Sequence, residues 1–131
     1  MIKVALAAFV GFIVLDGIWL GLLMKNFYRD ELSSIARIEN GGFAPVWPAA
    51  FLVYVLLAVG VAIFVVPGAS GPGSAGARGA LLGLVIYGVY DLTSYSTLAR
   101  YPLTVAIVDI CWGIVATASC SFAVRFMHRL D

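Results

Sequence analysis

Charge is scarce in this chain: Asp, Glu, Lys and Arg make up 11% of its 131 residues, against roughly a quarter in a soluble domain. Histidine occurs once, at His128, and cysteine twice, at Cys111 and Cys120. A lone His argues against a His-rich di-iron or zinc centre. The two thiols, nine residues apart on one predicted helix, face opposite sides about 13 Å apart and cannot bridge; both read as packing residues. There is no G-x-S-x-G, no P-loop and no dinucleotide fingerprint. No cofactor is indicated, although an oxygen-ligand site for magnesium, calcium or manganese stays open. With a net charge of +1 and no Lys/Arg run, the chain also lacks the basic face of a nucleic-acid binder.

What is present is apolar: 63% of the residues are hydrophobic. Four segments, near residues 2–24, 46–66, 78–98 and 102–126, are each long enough to cross a hydrocarbon core about 30 Å thick, which takes roughly 20 helical residues. Backbone groups in lipid must be satisfied internally, and these runs lack the alternation of barrel strands. The expectation is an all-α membrane protein, one domain over residues 1–131, with four antiparallel transmembrane helices in a bundle. The first segment reads as a retained helix, since its apolar run is long, carries Asp16 and Trp19, and ends without a small-residue cleavage site.

The connections differ in character. Between the first two helices, Tyr28, Leu32 and Ile35 recur at helical spacing, so Phe27 to Ile38 reads either as a short interfacial helix ended by Asn40-Gly41-Gly42 or as a solvated connector. Pro67 to Gly76 reads as a flexible Gly/Ser/Pro linker. Ala99-Arg100-Tyr101 is a tight hairpin ahead of Pro102. Lys3, Arg78, Arg125 and Arg129 fall on one face and Lys25, Arg29, Arg37 and Arg100 on the other, so the positive-inside rule is tied. The expected location is the bacterial inner membrane, multi-pass, with cytoplasmic termini or, as the alternative, dual insertion.

An acid in the hydrocarbon costs roughly 2.5–3.5 kcal/mol on insertion scales and marks a functional site by default. Three are present. Asp16 lies nine residues before Lys25, Asp91 nine before Arg100 and Asp109 nine after it, so each sits roughly 13 Å inside the same face. Tyr54 of the second helix reaches that level too. Asp16 with Trp19 and Asp109 with Trp112 are i, i+3 pairs, and Tyr87, Asp91 and Tyr95 form an i, i+4, i+8 stripe. Carboxyls so gathered raise one another's pKa, and at least one is expected to hold a proton near neutrality, as part of a coupled set. The plainer reading is that the acids bond helices together through Tyr, Trp, Ser and Thr donors. Gly17 and Gly21, and Gly79 and Gly83, are G-x-x-x-G pairs suited to internal packing or to a homodimer.

Leu15-Asp16-Gly17-Ile18-Trp19-Leu20-Gly21, then Phe27-Tyr28-Arg29, then Tyr90-Asp91-Leu92-Thr93 with Thr97-Leu98 and Pro102, and finally Asp109-Ile110-Cys111-Trp112-Gly113 resemble the bacterial membrane family catalogued as domain of unknown function 2177. The chain departs from the family pattern at Ser94 and Tyr101. The resemblance implies a small four-helix inner-membrane protein and no particular activity.

The residues support a first reading as a binding or transport protein, in which Asp16, Trp19, Tyr54, Tyr87, Asp91, Ser94, Asp109 and Trp112 hold a proton, a cation or a small cationic or lipid-like ligand. A second is a lipid-modifying enzyme with an Asp as general acid or base and Arg29, Arg37 and Arg100 on a lipid headgroup. A third is a structural or accessory subunit. Membrane lipid is the expected surrounding partner in each.

Overall fold

The computed structural model describes residues 1–130. Among them are five α-helices and one two-residue-stranded hairpin. Helix α1 (Ile2–Ile18) runs on as a π-helical turn (Trp19–Leu23), closed by Met24 N–H donating to the Trp19 carbonyl at 2.7 Å. A short helix α2 (Lys25–Glu31) follows at once. After the hairpin strands β1 (Ile38–Glu39) and β2 (Gly42–Phe43) comes α3 (Trp47–Gly60), extended by a π turn (Val61–Val65) and a 3-10 turn (Val66–Gly68). Helices α4 (Pro72–Thr97) and α5 (Leu103–Leu130) complete the chain.

Three helical stretches, Ile2–Leu23, Trp47–Gly68 and Leu103–Arg129, are long and apolar enough to cross a membrane. Helix α4 is long enough at 26 residues, about 39 Å, but Gly, Ser, Arg78 and Asp91 dilute its apolarity. The lipid-facing logic is visible in α1, whose inward side is the i, i+4 stripe Val4, Ala8, Phe12 and Asp16 while Leu6, Val10, Ile13 and Val14 point outward. Such a helix, apolar outside as well as inside, suits lipid better than water.

Two apolar clusters hold the fold. The larger joins Val4, Ala8 and Phe12 of α1 to Leu57, Val61 and Val65 of the α3 segment and to Cys120 and Val124 of α5. The smaller sets Tyr28 of α2 against Tyr101, Val105 and Ala106, with Trp19, Phe27 and Leu32 around it. Helices α4 and α5 approach most closely, because a Cβ at Gly79 or Gly83 would run into Thr117, Ser121 and the backbone of Gly113. Gly17 and Gly21, by contrast, meet nothing within 4 Å, so that pair packs no other helix of this chain.

Two connections are not as expected. Phe27 to Ile38 is not one amphipathic helix: α2 stops at Glu31, and Ile38 pairs with Phe43 across a hairpin. Asn40 and Gly41 both have positive φ, 51° and 77°, as a two-residue type I′ turn requires, so Asn-Gly turns a hairpin where a helix stop was expected. Nor is Pro67 to Gly76 a free linker. Pro67 sits in the last turn of the α3 segment and Pro72 opens α4, where its missing N–H costs nothing. Only Ala69 to Gly71 lie between the helices.

Candidate functional site: three carboxyls and their donors

Each acid sits nearly two turns from a helix or span end. Asp16 precedes the π turn of α1, Asp91 lies near the end of α4, and Asp109 lies early in α5. The hairpin between α4 and α5 therefore brings Asp91 and Asp109 to one level, and the i, i+4 stripe of α1 delivers Asp16 to the same layer.

The indoles cross between helices. Trp112 Nε1 of α5 donates to Asp16 Oδ1 of α1 at 2.7 Å, while Trp19 of α1 stacks on Trp112 with ring centroids 4.5 Å apart and planes 2° from parallel. Trp19 Nε1 donates to the Tyr28 hydroxyl at 3.1 Å, and that hydroxyl donates to Asp109 Oδ1 at 3.0 Å. The same-helix Asp and Trp pairs of the sequence reading are thus replaced by an exchange of donors between α1 and α5. With each indole covering the other, the pair braces two acids and leaves no gap between the rings for a ligand.

Asp91 is fully buried, at 0% exposure. Its Oδ1 accepts from the Tyr101 hydroxyl at 2.6 Å. Its Oδ2 is buried and has no hydrogen-bond partner, and Asp109 is the neighbouring carboxyl. Asp109 also interacts electrostatically with Asp16, so it stands between the other two. Tyr54 of α3 lies near Asp16. Tyr87 lies among Asp16, Asp109, Tyr54 and Tyr28, its ring seated where Gly113 leaves out a side chain.

The remaining residues named from sequence fall elsewhere. Ser94 is half-buried and joins none of these hydrogen bonds, and Tyr95 turns outward, 45% exposed. Arg29 bonds Asp30 at 3.3 Å and the Gly41 carbonyl at 3.5 Å, and Arg37 and Arg100 are exposed; none of the three contacts an acid of the cluster. Among the described residues no three His, Cys, Asp or Glu side chains are arranged to hold a metal ion.

Sequence reasoning missed Tyr28 and Tyr101, which supply the donors to Asp109 and Asp91. Tyr28 lies in a polar connection, where its spacing with Leu32 and Ile35 suggests an interfacial face rather than a partner for the acids, and Tyr101 lies in a three-residue hairpin with no periodicity at all. Burial pushes both phenols above the ordinary tyrosine range, so each is an O–H donor at neutral pH.

An all-helical chain with three membrane-length apolar helices and a polar layer within them belongs to the class of small helical membrane proteins. A family model described as Predicted membrane protein (DUF2177) matches residues 1–126. The chain belongs to that family, as its Asp-x-x-Trp and Tyr-Asp-Leu-Thr motifs suggest. Searches of curated proteins and of solved structures find no match.

Proposed function

We propose that this protein binds and exchanges a proton at Asp91 and Asp109, and that it carries protons, or a cation exchanged for them, through a four-helix transmembrane bundle. The observation that carries the reading is the buried Oδ2 of Asp91, which has no hydrogen-bond partner and has the Asp109 carboxyl as its neighbour. Two carboxylates in contact repel, and a pair in a low-dielectric setting keeps one proton between them. On Asp91 Oδ2 that proton would be donated to Asp109 while Oδ1 keeps the Tyr101 bond. Asp91 is sealed and Asp109 is partly exposed, so Asp109 is the side from which the proton leaves.

A proton fits this site better than a bulkier ligand, since the acids are already packed by Tyr28, Tyr54, Tyr87, Tyr101, Trp19 and Trp112. A small cation entering at Asp109 would displace the shared proton, which makes exchange a natural step. The fourth span is α4. Its outward face, Leu81, Val85, Val89 and Leu92, is apolar and more than half exposed, while its inward face is Ala75, Gly79, Gly83, Gly88 and Asp91. That inversion of the soluble pattern supports placement in lipid beside α5.

Proteoliposomes holding an internal pH dye test the reading. The wild type is expected to dissipate an imposed pH gradient and Asp91→Asn to lose that flux; an unchanged rate in Asp91→Asn would remove the proposal's support. Infrared difference spectra offer a second readout, in which the band of a protonated carboxyl should vanish in Asp91→Asn.

A further inference from the structure

At the end of the bundle away from the acids lies a cavity of about 410 Å³, bordered by Met1, Val4, Val66, Pro67, Arg125 and His128. Its distance from the acid layer is comparable on three helices. Arg125 is 16 residues beyond Asp109 on α5, Val66 is 12 beyond Tyr54, and Val4 is 12 before Asp16, or about 18–24 Å along the helices. The volume falls within the range of small-ligand sites, about 300–1,000 Å³.

Among the described residues the fixed charge at this end has one sign. Lys3, Arg78, Arg125 and Arg129 are here, with His128 beside them, whereas the carboxylates of the described residues are Asp16, Asp91 and Asp109 in the far layer and Asp30, Glu31 and Glu39 in the connection beyond it. Arg78 is already engaged: its guanidinium donates to the Phe64 carbonyl at 3.1 Å, where α3 runs out of intrahelical donors. Arg125 is not. Its Nε is shut away from solvent with no hydrogen-bond partner among the described residues. Snorkelling of a long side chain toward the membrane surface explains a guanidinium at this depth, but it does not explain a buried donor left unmatched beside an open cavity. A guanidinium N–H that is shut off from water and unpaired is stabilised by an anion that accepts from it, and a phosphate oxygen is a strong acceptor of this kind.

We propose that this cavity is a phosphate-binding site, with Arg125 as the principal contact and His128 as a second donor at the rim. Two sources carry that group: the headgroup of an anionic bilayer lipid and a soluble phosphate ester. The apolar wall of Val4, Val66 and Pro67 suits the glycerol and first methylenes of a lipid. The site is separate from the carboxyl cluster and does not depend on the proton reading.

Native mass spectrometry of the full chain from micelles doped equally with phosphatidylglycerol and phosphatidylcholine tests the lipid source. Thermal shifts with glycerol 3-phosphate and inorganic phosphate, against chloride at equal ionic strength, test the soluble one. The expected result is retention of phosphatidylglycerol over phosphatidylcholine by about tenfold or more, the size of one charge-assisted hydrogen bond. Arg125→Gln should abolish that preference and Arg125→Lys reduce it. Arg129→Gln, on the same face but away from the cavity, should leave it intact. Stabilisation by the soluble phosphates without lipid enrichment would support the same site with a soluble occupant. Equal retention of the two lipids together with no phosphate stabilisation of the wild type would overturn the proposal, and so would an equal loss in Arg129→Gln, which would make the effect diffuse surface charge. The wild-type arms decide the matter if Arg125→Gln does not fold.

Discussion

Tyr101 is the single donor to a carboxyl with no exposed surface, so the consequence of deleting its hydroxyl can be argued directly. Tyr101→Phe leaves both oxygens of Asp91 without a donor, and an unmatched buried polar group costs about 1–3 kcal/mol. A fall in thermal stability in detergent is the expected outcome, and the loss should be smaller when Asp91→Asn is already present, as a double-mutant cycle would show. Gly113 is a second such position. A methyl there would enter the Tyr87 ring, and overpacking of this kind costs about 1–3 kcal/mol. Gly113→Ala should therefore destabilise the bundle and weaken proton flux together, whereas Tyr87→Phe, which keeps the ring, should spare the packing; thermal melts set beside flux rates separate the two effects.

At the scale of elements, the two G-x-x-x-G pairs look alike in sequence and behave differently in the fold. Gly79 and Gly83 face α5 at backbone distance, while Gly17 and Gly21 face open space. Gly83→Leu should force α4 away from α5 and lower stability by several kcal/mol, because Gly113 backbone cannot move aside. Gly17→Ala meets no neighbour and should not destabilise the monomer, with a gain of up to about 1 kcal/mol from helix propensity. Chemical or thermal unfolding of both variants in the same micelle checks the contrast. Helix α2 shows the same dependence on context. Its seven residues could not persist alone; they are held because the π turn of α1 feeds them directly beneath the acids and Tyr28 is drawn into the smaller apolar cluster.

For the whole molecule, the number of bilayer crossings decides which residues share a compartment. If α4 spans with the others, Ser74 and Ala99 lie on opposite sides, since they bracket its length. Single cysteines at these two positions should react with an impermeant maleimide from opposite faces of sealed vesicles, while Cys111 and Cys120 stay unlabelled within the α5 span. Labelling of both from one side would exclude the four-span bundle. The same arrangement separates the carboxyl layer from the cationic cavity by most of the membrane thickness, so the two proposed sites face different compartments.

Much of this was legible in the residues themselves. Apolar runs of membrane length specify helices whatever their neighbours, because lipid offers backbone groups no other partner. The depth of Asp16, Asp91 and Asp109 follows from counting along those helices, since the rise per residue is constant. Boundaries were less secure where a residue has two uses: Pro72 and the glycines after it open a helix as readily as they loosen a linker, and Asn40-Gly41 turns a hairpin as readily as it stops a helix. What the sequence could not decide was rotation. Helices that are apolar on every side carry no periodic mark of which face turns inward, so the crossing of Trp19 and Trp112, the seating of Tyr87 over Gly113, and the idleness of Gly17 and Gly21 depend on close packing between distant segments. Tyr28 and Tyr101 enter the site for the same reason: each is brought there by a turn in the chain, and only the packed structure brings their hydroxyls to Asp109 and Asp91.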